Sequence, residues 1–258
     1  MLAIQQTSAD TLYYNYPYYM KNTSSSKRGF TLIELLTVIA IIGILAGILI
    51  PAVGKVRDVA NKAKSANNMR SIAISYATYS TSGGRVRTLS KSKMDADADI
   101  TYTGVAGVAQ FLAKHSSLSD ASIWIIGSDP LVANYAEEVP AIVGFRDEDN
   151  IFKTAPNWKQ DAPVGYDFAI GVSGNAPTST TPLLWTRGLR ISGAGAGTWG
   201  KDSPWGLGGH IAYLDGHVQF YNEIGPEDGQ LVNPSTGTLT SNMADIHPSD
   251  KILRAPSL

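Results

Sequence analysis

KRGFTLIELLTVIAIIGILAGILIP, residues 27–51, decides the fold of this 258-residue chain. A basic edge leads into Gly29-Phe30, then one acid, Glu34, then a long apolar run. From residue 35 to residue 54 no side chain is charged. A helix of that length, rising about 1.5 Å per residue, spans about 30 Å, the hydrocarbon thickness of a bilayer. The run is mostly Ile, Leu, Val and Ala, so a single helix would satisfy its backbone polar groups internally, as lipid demands. The stretch therefore predicts a membrane-spanning helix over about residues 30–54. Gly43 and Gly47 share one face of it, and either admit a neighbouring helix or are merely tolerated there.

Glu34 is the anomaly in this run. A carboxylate in a lipid-facing helix costs up to about 2.5–3.5 kcal/mol, and less near the membrane surface. It calls for a partner or a task, unless the helix dipole alone favours an acid in the first turn.

At these residues the chain resembles the N-terminal segment of type IV prepilins and of the pseudopilins of type II secretion systems. In that family a prepilin peptidase cuts after the glycine and the new N-terminal residue is methylated. The resemblance implies a cut between Gly29 and Phe30, methylation of Phe30, and an assembly role for Glu34, paired with the N-terminal amine of a neighbouring subunit. An amine and a carboxylate, both poorly solvated at the membrane, offset each other's burial cost. Pro51 matches a proline common in the family, where the helix bends or loosens. The resemblance further implies an α+β, pilin-like fold in which a long N-terminal helix, its first half in the membrane, packs on an antiparallel β-sheet.

Upstream, residues 1–29 read as a leader. Met20 offers an alternative start, which leaves the short basic peptide MKNTSSSKRG before the cut. Lys21, Lys27 and Arg28 precede the apolar run, while Lys55, Arg57, Lys62, Lys64 and Arg70 follow it. Counting positive charges alone puts the C-terminal side in the cytoplasm. The resemblance implies the reverse, with the leader facing its peptidase and the later charges carried on a helix that packs on a folded domain.

Downstream, residues 52–80 continue the helix, with Ala52, Val56, Val59, Ala63, Ala66, Ala73 and Tyr76 recurring at three and four. Gly83-Gly84 stops it, since glycine readily takes the left-handed cap conformation. The long helix thus covers residues 30–82, and residues 83–258 form one globular extracytoplasmic domain with a modest core. Within that domain residues 107–115 read as a short helix, and residues 122–127 (SIWIIG), 166–172 and 183–186 as strands. The Gly-rich piece at 191–209 reads as loop; it lacks the strand-Gly-helix setting and the Lys-Ser/Thr end of a phosphate-binding motif. Residues 210–221, HIAYLDGHVQFY, read as a hairpin turning at Asp215-Gly216. This segment also resembles the Asp-Gly-His-Val stretch that ends many bacterial prepilin-like proteins. The histidine that group carries ten residues earlier is Trp205 here. The polar tail, 222–258, either wraps the domain or stays loosely ordered.

Composition narrows the function classes. Net charge is -1, with 17% charged and 9% aromatic residues, so no basic field argues for nucleic acid. There is no cysteine, which excludes disulfides, thiolate metal sites and a thiol nucleophile. His210, Asp215 and His217 would be three zinc ligands only if both arms of the hairpin converged, and Asp215 is better explained as a turn former. Asp95, Asp97 and Asp99 alternate in MDADADI but lack the glycine and terminal glutamate of a calcium loop. The resemblance keeps calcium open without locating a site. No nucleophile elbow or His-Glu-x-x-His motif occurs.

The reading is a non-enzymatic structural subunit of a type II secretion pseudopilus or type IV pilus-like filament. Its implied partners are further copies or related pilins, the prepilin peptidase, a secretion or pilus assembly platform, and the inner membrane, crossed once. The alternative is an extracytoplasmic binding or enzymatic domain that uses the apolar run only as an anchor. An ordinary signal peptide, removed whole, is a third reading.

Overall fold

The computed structural model describes residues 29–257. The expected leader apart from Gly29, with the alternative start at Met20 and the basic residues before Gly29, lies outside the described residues. The chain divides into two compact units, residues 1–52 and 53–258, and each is described by itself. Helix α1, Leu32–Thr81, has 50 residues.

In the first unit every described side chain except that of Ala46 is exposed. Such a surface suits lipid or other helices, since a soluble helix would bury one apolar face. It is the one helix among the described residues long and apolar enough to cross a membrane. Pro51 lies inside it, and its ring removes the donor that would serve the carbonyl one turn back.

In the second unit α1 buries one stripe: Ser65, Met69, Ile72, Ala73, Ser75, Tyr76, Tyr79 and Ser80. The expected stripe is thereby corrected, because Ala52, Val56, Val59 and Ala63 are exposed. Apolar periodicity continues along the helix, but packing starts only at Ser65 and takes a rotated face, on which larger side chains meet the sheet. Gly83 and Gly84, at φ 74° and 69°, end the helix.

Three short helices follow: α2 (Lys91–Asp95), α3 (Gly104–Ser116) and α4 (Pro130–Asn134). Ser90 caps α2 by accepting from the Lys93 N–H, and Asp129 caps α4 by accepting from the Leu131 N–H. Helix α3 contains the expected 107–115 and ends at Ser117, which is left-handed with φ 59°. Residues 122–127 are not a strand. The Asp120 carboxylate accepts from the Ser122 N–H and starts a tight 3-10 turn, Ala121–Ile123. Trp124, Ile125 and Ile126 are buried, so their apolarity records burial and not pairing.

Strands β1 (Gly144–Arg146) and β2 (Phe152–Thr154) form an antiparallel ribbon. Next come β3 (Tyr166–Ala169), β4 (Pro182–Thr186), β5 (Gly209–Tyr213), β6 (Val218–Tyr221), the small ribbon of β7 (Leu231–Val232) and β8 (Leu239–Thr240), and finally β9 (Ile252–Leu253). The main sheet is antiparallel throughout, in the order β6-β5-β4-β3-β9. The molecule is therefore α+β, with a long N-terminal helix and an antiparallel sheet, the pilin-like architecture. The expected strand at 166–172 stops at Ala169, just before Gly171 at φ 78°. The tail is not loose. It supplies β7, β8 and β9, and the last of these closes the β3 edge of the sheet.

Strand β3 sorts the core. Successive side chains alternate across a sheet, and the even ones meet α1: the Tyr166 hydroxyl lies 3.2 Å from Ser65 Oγ, and the Phe168 ring lies 5.8 Å from that of Tyr76, edge to face. The Tyr76 hydroxyl in turn donates to the Val172 carbonyl. Burial of the ring pushes the Tyr76 phenol up to about 12, so it stays a neutral donor. Tyr79 stands perpendicular to Phe111 of α3 at 4.9 Å. Each such fully buried side chain contributes about 1.5–3 kcal/mol.

Candidate functional site

The first candidate site is the start of α1. Gly29 and Phe30 are exposed and precede the helix, with Phe30 at 73% of its full accessibility. Thr31 occupies the cap position and Glu34 the third helical position. Glu34 Oε2 accepts from the Thr31 N–H at 2.8 Å and from its hydroxyl at 2.7 Å. In return the Thr31 Oγ1 accepts from the Glu34 N–H at 3.3 Å. This is a capping box, which satisfies two otherwise orphaned helix donors reciprocally. The sequence signal was Thr-x-x-Glu, and composition reasoning about Glu34 passed over it. The cap consumes one carboxylate oxygen, so Glu34 has a local role and still presents a negative charge at the chain's new end should the leader be removed.

The second candidate is the hairpin. Tyr213 N–H donates to the His217 carbonyl at 3.0 Å and Gly216 N–H to the Tyr213 carbonyl at 2.9 Å. The loop therefore holds Leu214, Asp215 and Gly216, one residue more than the tightest hairpin. Only Gly216 takes a positive φ, 86°, as a three-residue loop with a bulge requires. The Asp215 carboxylate accepts from the His217 N–H at 2.9 Å and lies 2.6 Å from its Nδ1. His210 sits three residues down β5 from Tyr213, about 10 Å away along the strand, and pairs across with Phe220. It is buried, edge-on to Trp205 and Phe220. Burial first, and the Lys62 charge second, pull its imidazole down to about 4. His210 and His217 thus do not converge on one metal ion, and Asp215 is spent on the turn.

The alternating acids are also spoken for. Asp95 pairs with Lys91 at 2.7 Å, while Asp97 and Asp99 meet Lys114 at 2.5 and 2.9 Å. His115 Nε2 lies 3.0 Å from the other Asp97 oxygen. Burial pushes the Asp97 carboxyl up, but the hydrogen bonds from Lys114 and His115 outweigh it and hold the group below its usual value. The MDADADI segment is therefore an electrostatic clasp to α3. Among the described residues no three His, Asp or Glu side chains cluster in a way that would hold a metal.

Two ion pairs escaped the sequence reading, one buried on both sides and one joining a buried carboxylate to an exposed guanidinium. Arg187 donates from Nε to Asp129 Oδ2 at 2.7 Å and from Nη2 to Oδ1, a bidentate pair with both side chains almost fully buried. Asp167 accepts from the Ala255 N–H at 2.8 Å and faces Arg254 Nη1 at 3.2 Å. Burial raises the Asp167 carboxyl to about 6 despite that cation. The partners are 58 and 87 positions apart in sequence, beyond any spacing rule.

Comparison with known proteins agrees with the N-terminal geometry. Residues 24–50 match the family described as "Prokaryotic N-terminal methylation motif". The chain is also similar to "Fimbrial protein Q" of Moraxella bovis, 28% identical over 156 residues, which cover 55% of this chain and 98% of that protein. No solved structure matches. The chain carries a prepilin-type methylation motif at the start of a membrane-capable helix, and these likenesses support a type IV prepilin-like, structural filament subunit. The family match ends before the Asp-Gly-His-Val segment.

Proposed function

We propose that this chain is cut by a prepilin peptidase between Gly29 and Phe30, is methylated at Phe30, and enters a type IV pilus-like filament or type II secretion pseudopilus through α1. Before assembly the apolar part of the helix holds it in the inner membrane, crossing once, with residues 83–258 outside the cytoplasm. An assembly platform then draws subunits from the membrane, and the helices trade lipid for one another. The observation that carries this reading is the junction itself. An exposed Gly29-Phe30 pair lies directly before a capped helix, and every apolar side chain of the membrane-length segment but that of Ala46 is exposed. A carboxylate at Glu34 can take the amine freed by cleavage in a neighbouring copy, because opposite charges at the membrane surface offset one another's desolvation.

Intact mass of the native product tests the reading. Loss of everything through Gly29 with one added methyl group is the expected result. An uncut N terminus would instead favour a simple anchor for the domain, and loss of the entire apolar run would mark an ordinary signal peptide.

A further inference from the structure

Residues 53–64 of α1 form an amphipathic segment whose apolar face nothing among the described residues covers. That face is Val53, Val56, Val59, Ala60 and Ala63, all exposed, with Val56 and Val59 each at 68%. At about 100° per residue, Ser65 stands half a turn round from Val56, and Ser65 is buried against Tyr166. The domain therefore takes the opposite side of the helix and leaves the apolar one outward. Cations border it on both flanks. Lys55 and Lys62, about two turns apart, share one flank, and Arg57 and Lys64 share the other. A single acid, Asp58, stands against these four bases. None of the four makes an ion pair among the described residues; Lys62 lies over the Phe220 ring, 4.0 Å from its centre.

We propose that this segment lies on an anionic bilayer surface before assembly, its apolar face against the acyl chains and its basic flanks on lipid phosphates. An apolar face between cationic borders is the pattern of a helix seated in the membrane interface, where Lys and Arg stems run over apolar surface to bring their charges to the headgroups. The segment continues directly from the uncharged run, residues 35–54, so the lipid around that anchor is what it meets first. Its cations also need a reason to be there. Positive charge just beyond a span opposes transfer of that side out of the cytoplasm, and anionic phosphates on the far side offset the cost. An upright segment would carry Ala63 about 13 Å past Gly54, outside a headgroup layer about 5–7 Å deep. A docked one holds Val56, Val59 and Ala63 at one depth. The side of the membrane is taken from the filament reading; the attraction to anionic lipid is not.

The chain has no cysteine, so single nitroxide labels on Val56→Cys, Val59→Cys and Ala63→Cys, with Asn61→Cys as the inward control, read depth in the full chain. Vesicles of phosphatidylcholine alone are compared with vesicles of equal parts phosphatidylcholine and phosphatidylglycerol. In the mixed vesicles the three outward labels should collide with oxygen in preference to a water-soluble nickel chelate, at similar depth, and the Asn61 label should not. Lys55→Gln and Lys64→Gln, one from each flank, should each lower the ratio of lipid-facing to water-facing label at Val59 about fivefold, the worth of one cation near an anionic surface. Chelate preference at all three outward labels, depth falling steadily from Val56 to Ala63, or equal results in both kinds of vesicle overturns the proposal. Spin-spin broadening that vanishes on dilution with unlabelled chain gives the face to a second copy and overturns it too. Cleavage does not enter this measurement, so it and the intact-mass test of the filament reading fail separately.

Discussion

Thr31 and Glu34 bind each other across the first turn of α1, the backbone N–H of each donating to the side-chain oxygen of the other, at 2.8 and 3.3 Å. The acid that looked anomalous in an apolar run therefore has a structural reason to be there. Glutamine serves a capping box as well as glutamate does, which separates the cap from the charge. Glu34→Gln is expected to leave membrane insertion and helix content intact yet to reduce filament incorporation, as Glu34→Ala and Glu34→Leu should. Crosslinking of sheared filaments measures it. Wild-type incorporation by Glu34→Gln would assign the residue to the cap alone.

The Asp129–Arg187 pair is the most deeply buried ion pair among the described residues. Removing one partner strands the other charge, so Arg187→Leu should cost about 3–5 kcal/mol. Replacing both with apolar residues should recover much of that loss. Denaturant midpoints of the single and double variants check this.

Asp167 and His210 titrate in opposite senses. The Asp167 carboxyl, raised from 3.8 to about 6, binds its proton more tightly when folded. Its stabilising effect is present at low pH and is lost as pH rises through about 6. The His210 imidazole, lowered from 6.5 to about 4, resists protonation when folded, so its contribution is lost as pH falls from about 6.5 through 4. Burial lowers His247 in the same direction. Between pH 4 and 6 the effects oppose, and melting temperature should vary little there from these groups. Asp167→Asn is expected to leave a melting temperature that climbs with pH across that window, and His210→Gln should shift the slope the other way.

The tail pins the sheet. Deleting residues 252–257 removes β9 from β3 and takes both Arg254 and the Ala255 N–H from Asp167. A fall in melting temperature of about 5–10 °C is expected for a loss of a few kcal/mol in a domain of this size, with faster proteolysis at residues 166–169.

The features legible in the sequence were those written in consecutive residues. The membrane-length run, the methylation motif around it, the stop at Gly83-Gly84 and the β5–β6 hairpin each depend on neighbours within a few positions. What escaped needed distant partners. The exposed Val56 and Val59 repeat as regularly as the buried Ile72 and Tyr76, because periodicity reports that a helix has an apolar face and not what covers it. SIWIIG is apolar enough for a strand, yet the Asp120 carboxylate turns it first. Strand β9, two residues long in a polar segment, has no pattern of its own and exists because β3 offers it an open edge.

Strand β3 serves two clients at once. Tyr166 and Phe168 answer to the shaft, and Asp167 between them answers to the tail. The sheet is thus a partition wall: loops on its outer side can be rewritten without touching the helix, while the shaft side keeps the fittings that hold it.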